Sequence, residues 1–210
     1  MAEKLKKNDF IEIQYTGKVK DGDVFDTNIA DEAKKINLEI KDRPLIICLG
    51  QGMILPAIDE FLIGKNADAE YTLELPSEKA FGKRKRELIK TMPISVFNQA
   101  KAKPQAGMIF AFDNMLGKIT TVSGGRVIVD FNNPLAGKDV TYNLKVKRIL
   151  KDEKEKIKSL MRTFFRKEFT FRVEQKKLIL RVDEKLKKFV EMFKSKFKEI
   201  LDLELSVENI

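Results

Sequence analysis

The chain has 210 residues, of which 43% are apolar and 35% are charged, and its net charge is +9 at pH 7. It contains one cysteine and no histidine, which excludes an internal disulfide, a histidine-based catalytic triad and a zinc site built on several cysteines. Its apolar runs are much shorter than the ~20 residues of a membrane helix, and residues 1–7 lack the apolar segment of a signal peptide. We therefore expect a cytoplasmic protein without a membrane partner.

Charge and glycine content change along the chain. Residues 1–82 carry a net charge of −5, residues 83–150 carry +9 and residues 151–210 carry +5. All 11 glycines and all 6 prolines lie at or before Gly137. These changes predict a basic middle unit and a separate unit that begins near residue 150.

The first part of the chain reads mainly as strands. Alternating or continuous apolar residues predict strands at 11–15, 24–27, 45–49, 71–75 and, far downstream, 140–146. A short helix is predicted from Pro56 to Gly64, because proline favours the first turn of a helix and glycine follows its end. Asp21 and Asp23 flank Gly22, which indicates a turn and no metal site.

The middle unit reads as small and mostly β. A helix is predicted at 94–102 after Pro93, and strands are predicted at 108–112, 118–122 and 127–131. Gly124-Gly125 predicts the turn between the last two strands.

The last 60 residues contain 7 of the 15 phenylalanines. They predict a helix at 157–164, then strands at 169–173 and 178–182 joined by a hairpin turn at 175–177, where the parity of the apolar residues changes. A single apolar stripe predicts one five-turn helix from Leu186 to Leu201, and a last strand follows at 203–207.

Four blocks of sequence stand out by their order and spacing. They are Tyr15-Thr16-Gly17 with Gly22-x-x-Phe25-Asp26, then Leu49–Ile58, Pro76–Gly82 and Val140–Val146. Together they resemble the FKBP-type peptidyl-prolyl cis-trans isomerases. The block Asn133–Lys138, which follows an insert, is similar to the SlyD-like branch with its insert-in-flap chaperone domain. The extra unit after residue 150 is similar to the long-type archaeal members.

The resemblance implies an α+β fold in three units. Residues 1–84 and 134–150 would form the isomerase domain, an antiparallel sheet around a short helix. Residues 85–133 would form the β-rich insert-in-flap domain, and residues 151–210 a small α+β C-terminal domain.

The resemblance also implies the isomerase pocket. Its members would be Tyr15, Phe25, Asp26, Ile54, Leu55, Ile58, Phe81 and Tyr142, with Leu45 as a wall contact. The family usually has Tyr where this chain has Phe81. SlyD-like proteins often have a metal-binding tail rich in His and Cys. Because this chain has no His and only Cys48, we expect no metal and no cofactor.

Several apolar residues of the insert are candidates for binding unfolded chains, because methionine suits promiscuous apolar surfaces. They are Met92, Ile94, Phe97, Met108, Phe110, Met115 and Leu116. Each could instead fill the insert's own core. The phenylalanine stripe of the C-terminal unit is likewise either core or a homodimer surface.

The predicted function is prolyl isomerisation combined with chaperone activity on unfolded, partly folded or nascent polypeptides. One alternative is a chaperone or binding module with vestigial isomerase activity, because of Phe81. A second is a ribosome- or nucleic-acid-associated protein, because Lys83-Arg84-Lys85-Arg86 forms a basic run.

Overall fold

A computed structural model describes residues 3–40 and 44–209. The chain divides into two compact units. The first contains the residues up to Gly17, Asp26–Leu73 and the chain from Tyr142 onward, and the second contains Lys18–Phe25 and Glu74–Thr141. The N-terminal strands and the last 60 residues therefore belong to the same unit.

The secondary structure follows the predicted pattern closely. The strands are β1 (Phe10–Val19), β2 (Val24–Thr27), β3 (Leu45–Cys48), β4 (Ala69–Leu75), β5 (Ile89–Pro93), β6 (Ile109–Phe112), β7 (Met115–Ser123), β8 (Arg126–Asp130), β9 (Val140–Ile149), β10 (Thr170–Glu174), β11 (Lys177–Val182) and β12 (Glu204–Asn209). The α-helices are α1 (Ala30–Lys35), α2 (Pro56–Leu62), α3 (Ile94–Gln99), α4 (Glu153–Phe165), α5 (Glu184–Glu191) and α6 (Lys194–Leu201). Within residues 3–40 and 44–209, no helix is long and apolar enough to span a membrane.

The main sheet has the strand order β2-β1-β9-β4, and β3 pairs antiparallel with the first half of β1. Helix α2 begins at Pro56, whose missing N–H costs nothing in the first turn of a helix. It buries Ile58 and Leu62 completely. The predicted α+β fold, with an antiparallel sheet and a short helix, is confirmed.

The C-terminal residues form a second sheet in the order β10-β11-β12. The predicted hairpin joins β10 to β11, and its turn places Gln175 and Lys176 at positive φ. Strand β12 then adds parallel to β11 after α5 and α6 have crossed between them. Leu178, Leu180 and Val182 are fully buried because every second residue of β11 faces the covering helices.

The apolar core of the C-terminal residues is shared with the N-terminal strands. Phe10, Cys48 and Leu150 belong to the same buried cluster as residues of α4, β11 and α6. Two hydrogen bonds join the same regions: the Leu150 N–H donates to the Phe10 carbonyl at 2.7 Å, and Ser159 Oγ donates to the Ile46 carbonyl at 3.2 Å. These 60 residues therefore complete a core that the N-terminal strands begin.

The prediction of one helix from Leu186 to Leu201 is wrong. The chain leaves helical geometry at Phe193 (φ −95°, ψ 5°) and starts a new helix at Lys194. The Phe193 ring stacks on Phe164 at 5.0 Å and the Phe197 ring stacks on Phe165 at 6.0 Å. The break is short enough to keep the apolar stripe in phase, so the periodicity of the sequence does not reveal it.

The second unit contains the insert. Its sheet has the order β5-β8-β7-β6, and helix α3 packs on it through Phe97. The buried core is small and consists of Phe97, Ile119, Val127 and Val129. Gly117 is required here, because an added Cβ would lie 2.4 Å from a methyl carbon of Val129.

The two ends of the insert lie side by side. The Gly137 N–H donates to the Gly82 carbonyl at 2.8 Å. The Asn132 side chain bonds both the N–H and the carbonyl of Lys85, at 2.8 and 2.9 Å. A segment with adjacent ends can be inserted into a host fold without separating the host strands.

Candidate functional site

Tyr15 and Asp26 form a hydrogen-bonded pair in the first unit. The Tyr15 hydroxyl donates to Asp26 Oδ2 at 2.9 Å. Burial and the Asp26 carboxylate both raise the pKa of Tyr15 well above its usual value, so the hydroxyl keeps its proton at any physiological pH. The tyrosine thus acts as a fixed donor that orients the carboxylate.

Thr27 and Asn28 hold this pair in place. Neither residue was among the candidates predicted from the sequence. Asn28 Oδ1 accepts from the Tyr15 N–H at 2.7 Å, and Asn28 Nδ2 donates to the Ile13 carbonyl at 2.8 Å. Thr27 Oγ1 donates to the Tyr15 carbonyl at 2.9 Å. These side chains hold the segment after Asp26 against β1 and so set the carboxylate opposite the tyrosine. In the sequence, only their position directly after the Phe25-Asp26 block could have indicated that Thr27 and Asn28 support the pair.

Tyr142 completes a cluster with the pair. It lies on β9, is 5% exposed, and its ring centre is 6.3 Å from that of Tyr15. Burial, with a smaller effect of the Asp26 carboxylate, raises the pKa of Tyr142 to about 12. Tyr15, Asp26 and Tyr142 therefore combine two neutral phenols with one carboxylate, within one unit of the fold.

The loop before α2 brings in the aliphatic candidates. Ile54 and Leu55 are half-buried, and the Leu55 carbonyl accepts from the Ile58 N–H at 2.9 Å in the first turn of α2. Ile58 is completely buried and presents no open surface. Of the three aliphatic candidates, Ile54 and Leu55 are therefore the two with surface left for a ligand.

Leu45 is the predicted wall contact of the pocket. It pairs with Ile13 across β3 and β1. It lines a cavity of about 620 Å³ together with Ala33 and Leu38, and none of the other pocket candidates lines that cavity. The role of Leu45 as a wall contact stays a prediction.

Phe25 and Phe81 meet within the second unit. Their rings make an edge-to-face contact with centres 5.6 Å apart. Phe81 follows a single 3₁₀ turn, Ser77–Lys79, which is closed by a hydrogen bond of 2.7 Å from the Gly82 N–H to the Ser77 carbonyl. An edge-to-face pair is a favourable aromatic geometry, and it presents two apolar rings as one surface.

The apolar candidates of the insert divide by exposure. Phe97 is 3% exposed, and Met92, Ile94 and Phe110 pack against the same small core. Met108, Met115 and Leu116 instead face solvent, with 40%, 54% and 68% of their surface exposed. Ile109, which the sequence analysis did not single out, is 62% exposed beside them on β6.

The other chemical groups offer little for catalysis. Cys48 is buried, and burial raises the pKa of its thiol to about 12, so it is a poor nucleophile. In the part of the chain that the structure describes, no cluster of three or more His, Cys, Asp and Glu side chains is arranged to hold a metal ion. In the basic run, Lys83 pairs with Glu78 at 3.0 Å and Arg84 pairs with Asp130.

Comparison with known proteins gives two family matches. Residues 1–110 match the family described as FKBP-type peptidyl-prolyl cis-trans isomerase. Residues 90–135 match the family described as FKBP26, IF domain. The second match falls on the insert, and neither match extends into the C-terminal residues.

Two curated relatives and one solved structure are similar to this chain. A short-type peptidyl-prolyl cis-trans isomerase of Methanocaldococcus jannaschii is 33% identical over 74% of this chain and 100% of its own length. The FKBP-type peptidyl-prolyl cis-trans isomerase SlyD of Vibrio cholerae is 29% identical over 68% of this chain and 67% of its own length. Among solved structures, the three FKBP domains of wheat FKBP73 match 72% of this chain and 43% of that one, at 13% identity and a TM-score of 0.39.

Proposed function

This chain belongs to the family of FKBP-type peptidyl-prolyl cis-trans isomerases, and we propose that its isomerase site is built on Tyr15, Asp26 and Tyr142. As an enzyme of this family it acts on polypeptides. The observation that carries the site is the 2.9 Å hydrogen bond between Tyr15 and Asp26 beside the buried ring of Tyr142. Ile54 and Leu55 are the proposed aliphatic contacts for the substrate, with the buried Ile58 in a supporting role. Phe25 and Phe81 stay predicted members of the pocket.

The reaction requires no nucleophile and no proton transfer. An amide rotates over a barrier of about 18–20 kcal/mol, because rotation breaks the resonance of the C–N bond. X-Pro bonds have nearly balanced isomers and still exchange over tens of seconds. A water-poor pocket favours the twisted amide, in which the C–N dipole is reduced. Two tyrosines that remain protonated and one oriented carboxylate give such a pocket fixed polar contacts.

The insert supplies chaperone activity in this proposal. Met108, Ile109, Met115 and Leu116 leave large apolar side chains exposed on β6, β7 and the residue before β6. Apolar groups exposed together on a small unit mark a binding surface, and flexible methionines suit clients of varied sequence. Unfolded and nascent polypeptides have exposed apolar side chains and X-Pro bonds, so they are the clients that need both activities.

The division into domains follows from this assignment. We assign residues 1–84 and 134–150 to the isomerase domain, residues 85–133 to the insert-in-flap domain and residues 151–210 to a C-terminal domain that shares its apolar core with the N-terminal strands. Phe189 and Met192 are 44% and 76% exposed, and we assign them to a homodimer contact of the C-terminal domain. The buried, unpaired thiol of Cys48 suits a reducing compartment such as the cytoplasm.

One observation favours a second candidate, a chaperone with vestigial isomerase activity. The ring that contacts Phe25 belongs to Phe81, which lacks the hydroxyl that the family usually has at this position. Isomerisation of an X-Pro tetrapeptide distinguishes the two functions. We expect clear turnover by the full chain, and a loss of at least about tenfold in kcat/KM for Asp26→Ala, corresponding to about 1.4 kcal/mol of transition-state stabilisation. Turnover at background level, with the fold intact by circular dichroism, would favour the vestigial alternative.

A further inference from the structure

The loop that carries Ile54 and Leu55 is held by the C-terminal residues. Gln51 Nε2 donates to Glu199 Oε1 of α6 at 3.1 Å and to Asn8 Oδ1 at 2.9 Å. Lys196 Nζ of α6 donates to Gln51 Oε1 at 3.4 Å. Both ends of the Gln51 amide therefore have partners on α6.

A second contact lies two residues further along the loop. The Met53 side chain packs against the core that the C-terminal residues share with β1 and β3, and its sulfur accepts from the Cys48 N–H at 3.2 Å. Met53 also borders a cavity of about 200 Å³ with Ser159 and Thr163 of α4. This side chain is thus fixed between β3 and the C-terminal core.

The third contact is internal to the isomerase region. The Gly52 N–H donates to Asp59 Oδ2 at 3.2 Å, and Gly52 has φ +65°, a conformation that favours glycine. Asp59 is 5% exposed. The loop therefore makes one contact with the start of α2, while Gln51 and Met53 contact the C-terminal residues.

We propose that Gln51 and Met53 are positioning residues, through which residues 151–210 hold Ile54 and Leu55 in place for the X-Pro substrate. The proposal rests on the isomerase site proposed above. It gives the C-terminal residues a role in catalysis that needs no contact with substrate. A loop is free to shift unless side chains fix it, and a shift of its aliphatic side chains weakens their contact with the substrate.

The first test uses Met53→Ala in the full chain, with the X-Pro tetrapeptide as substrate. Shifting an aliphatic wall weakens ground-state and transition-state binding together, so KM should rise about fivefold while kcat stays within about twofold. Met53→Leu, which conserves volume, should restore KM. Val207→Ala is the matched control, since Val207 packs partly buried against the same cluster from β12 and should leave KM unchanged.

The second test acts from the C-terminal side. Lys196→Ala combined with Glu199→Ala removes both α6 partners of the Gln51 amide without changing the loop, and leaves its bond to Asn8. We expect KM to rise about twofold, a small effect because exposed polar contacts are weak. The control is Lys176→Ala, which breaks an exposed ion pair with Asp202 elsewhere on the C-terminal residues and should not change KM.

A methyl NMR spectrum reports the position of the loop through the chemical shift of the Ile54 δ-methyl group, independently of catalysis. This δ-methyl signal should shift in Met53→Ala and in the Lys196→Ala, Glu199→Ala variant, and stay in place in both controls. Unchanged KM and an unchanged Ile54 signal in folded Met53→Ala would overturn the proposal. If Ile54→Ala itself left kcat/KM at the wild-type value, the assignment of the isomerase site would be the part that fails.

Discussion

The insert and the C-terminal residues both contain many apolar side chains, but they differ in how many of them are buried. The insert buries Phe97, Ile119, Val127 and Val129 and leaves Met115 and Leu116 in solvent. The C-terminal residues bury most of their apolar side chains, including Phe197 at 0% exposure, in a core shared with β1 and β3. The insert sheet, with its single covering helix, leaves apolar side chains of β6 and β7 exposed. In the C-terminal residues the exposed ones, Phe189 and Met192, lie on or directly after α5, not on the sheet. The proposed client-binding surface therefore lies where a sheet has only a thin covering layer.

The largest expected effect is on stability in the C-terminal core. Phe197→Ala should lower the free energy of unfolding by about 3–5 kcal/mol, because a fully buried ring leaves a cavity. Leu116→Ser in the insert should change it by less than about 0.5 kcal/mol, because the side chain is largely exposed. Urea unfolding of both variants measures the difference. Equal losses would show that the two regions do not differ as described.

The next effect concerns the accessibility of Cys48. The thiol is fully buried in the shared core, so a thiol reagent such as 5,5′-dithiobis(2-nitrobenzoic acid) should not react with the native chain. A chain ending at Leu150 lacks the C-terminal part of that core, and its Cys48 should react at least about 10²-fold faster, since opening of the core limits the reaction. Wild-type protein in urea gives the rate for the open thiol. Slow labelling of the shortened chain would contradict a shared core.

A third prediction concerns the aromatic part of the proposed pocket. Phe81→Tyr adds the hydroxyl that the family usually has. It should raise kcat/KM for the X-Pro tetrapeptide by up to about tenfold, because one hydrogen bond contributes about 1 kcal/mol or slightly more. Phe112→Tyr adds a hydroxyl to a ring of the insert core and serves as control, with no gain in turnover. A Phe81→Tyr enzyme that is no faster than wild type would show that the hydroxyl is not needed here.

The smallest effect is a dependence on alkaline pH. Burial raises the pKa of Cys48 from 9.0 and of Tyr142 from 10.0, each to about 12. A raised pKa means that the folded state keeps a proton that the unfolded state loses. The contribution of these two groups to stability should therefore be constant below about pH 9 and be lost as pH rises toward 12. The Cys48→Ala variant should lose the part of this fall that begins near pH 9, measured by urea unfolding at each pH.

Much of the fold could be predicted from sequence because its elements carry strong patterns. Alternation revealed β1, β4 and β9, and the parity change at residues 175–177 revealed the β10–β11 hairpin. Helix α1 was missed because Ala33 is its only buried residue, so no apolar period marks it. Strand β5 was missed because it is short and ends at Pro93, where the sequence indicates a helix start.

The candidate site shows a different limit. The resemblance supplied Tyr15, Asp26 and Tyr142, which the structure brings together, but it could not supply Thr27 and Asn28, whose bonds to the backbone of β1 depend on register. Nor could it show that Gln51 and Met53 contact the C-terminal residues, more than 100 positions away. Apolar composition alone likewise could not separate buried Phe97 from exposed Leu116, because exposure depends on which layers cover each sheet.

The central claim is that one chain combines an isomerase pocket with a separate client-binding surface. The most direct test compares wild type with a Met115→Ser, Leu116→Ser variant. For each, kcat/KM is measured with a proline-limited refolding protein and with an X-Pro tetrapeptide, and the first value is divided by the second. We predict that tetrapeptide turnover stays within about twofold and that the ratio falls about tenfold or more, because only a long unfolded client uses the second surface. An unchanged ratio in the folded variant would contradict this claim.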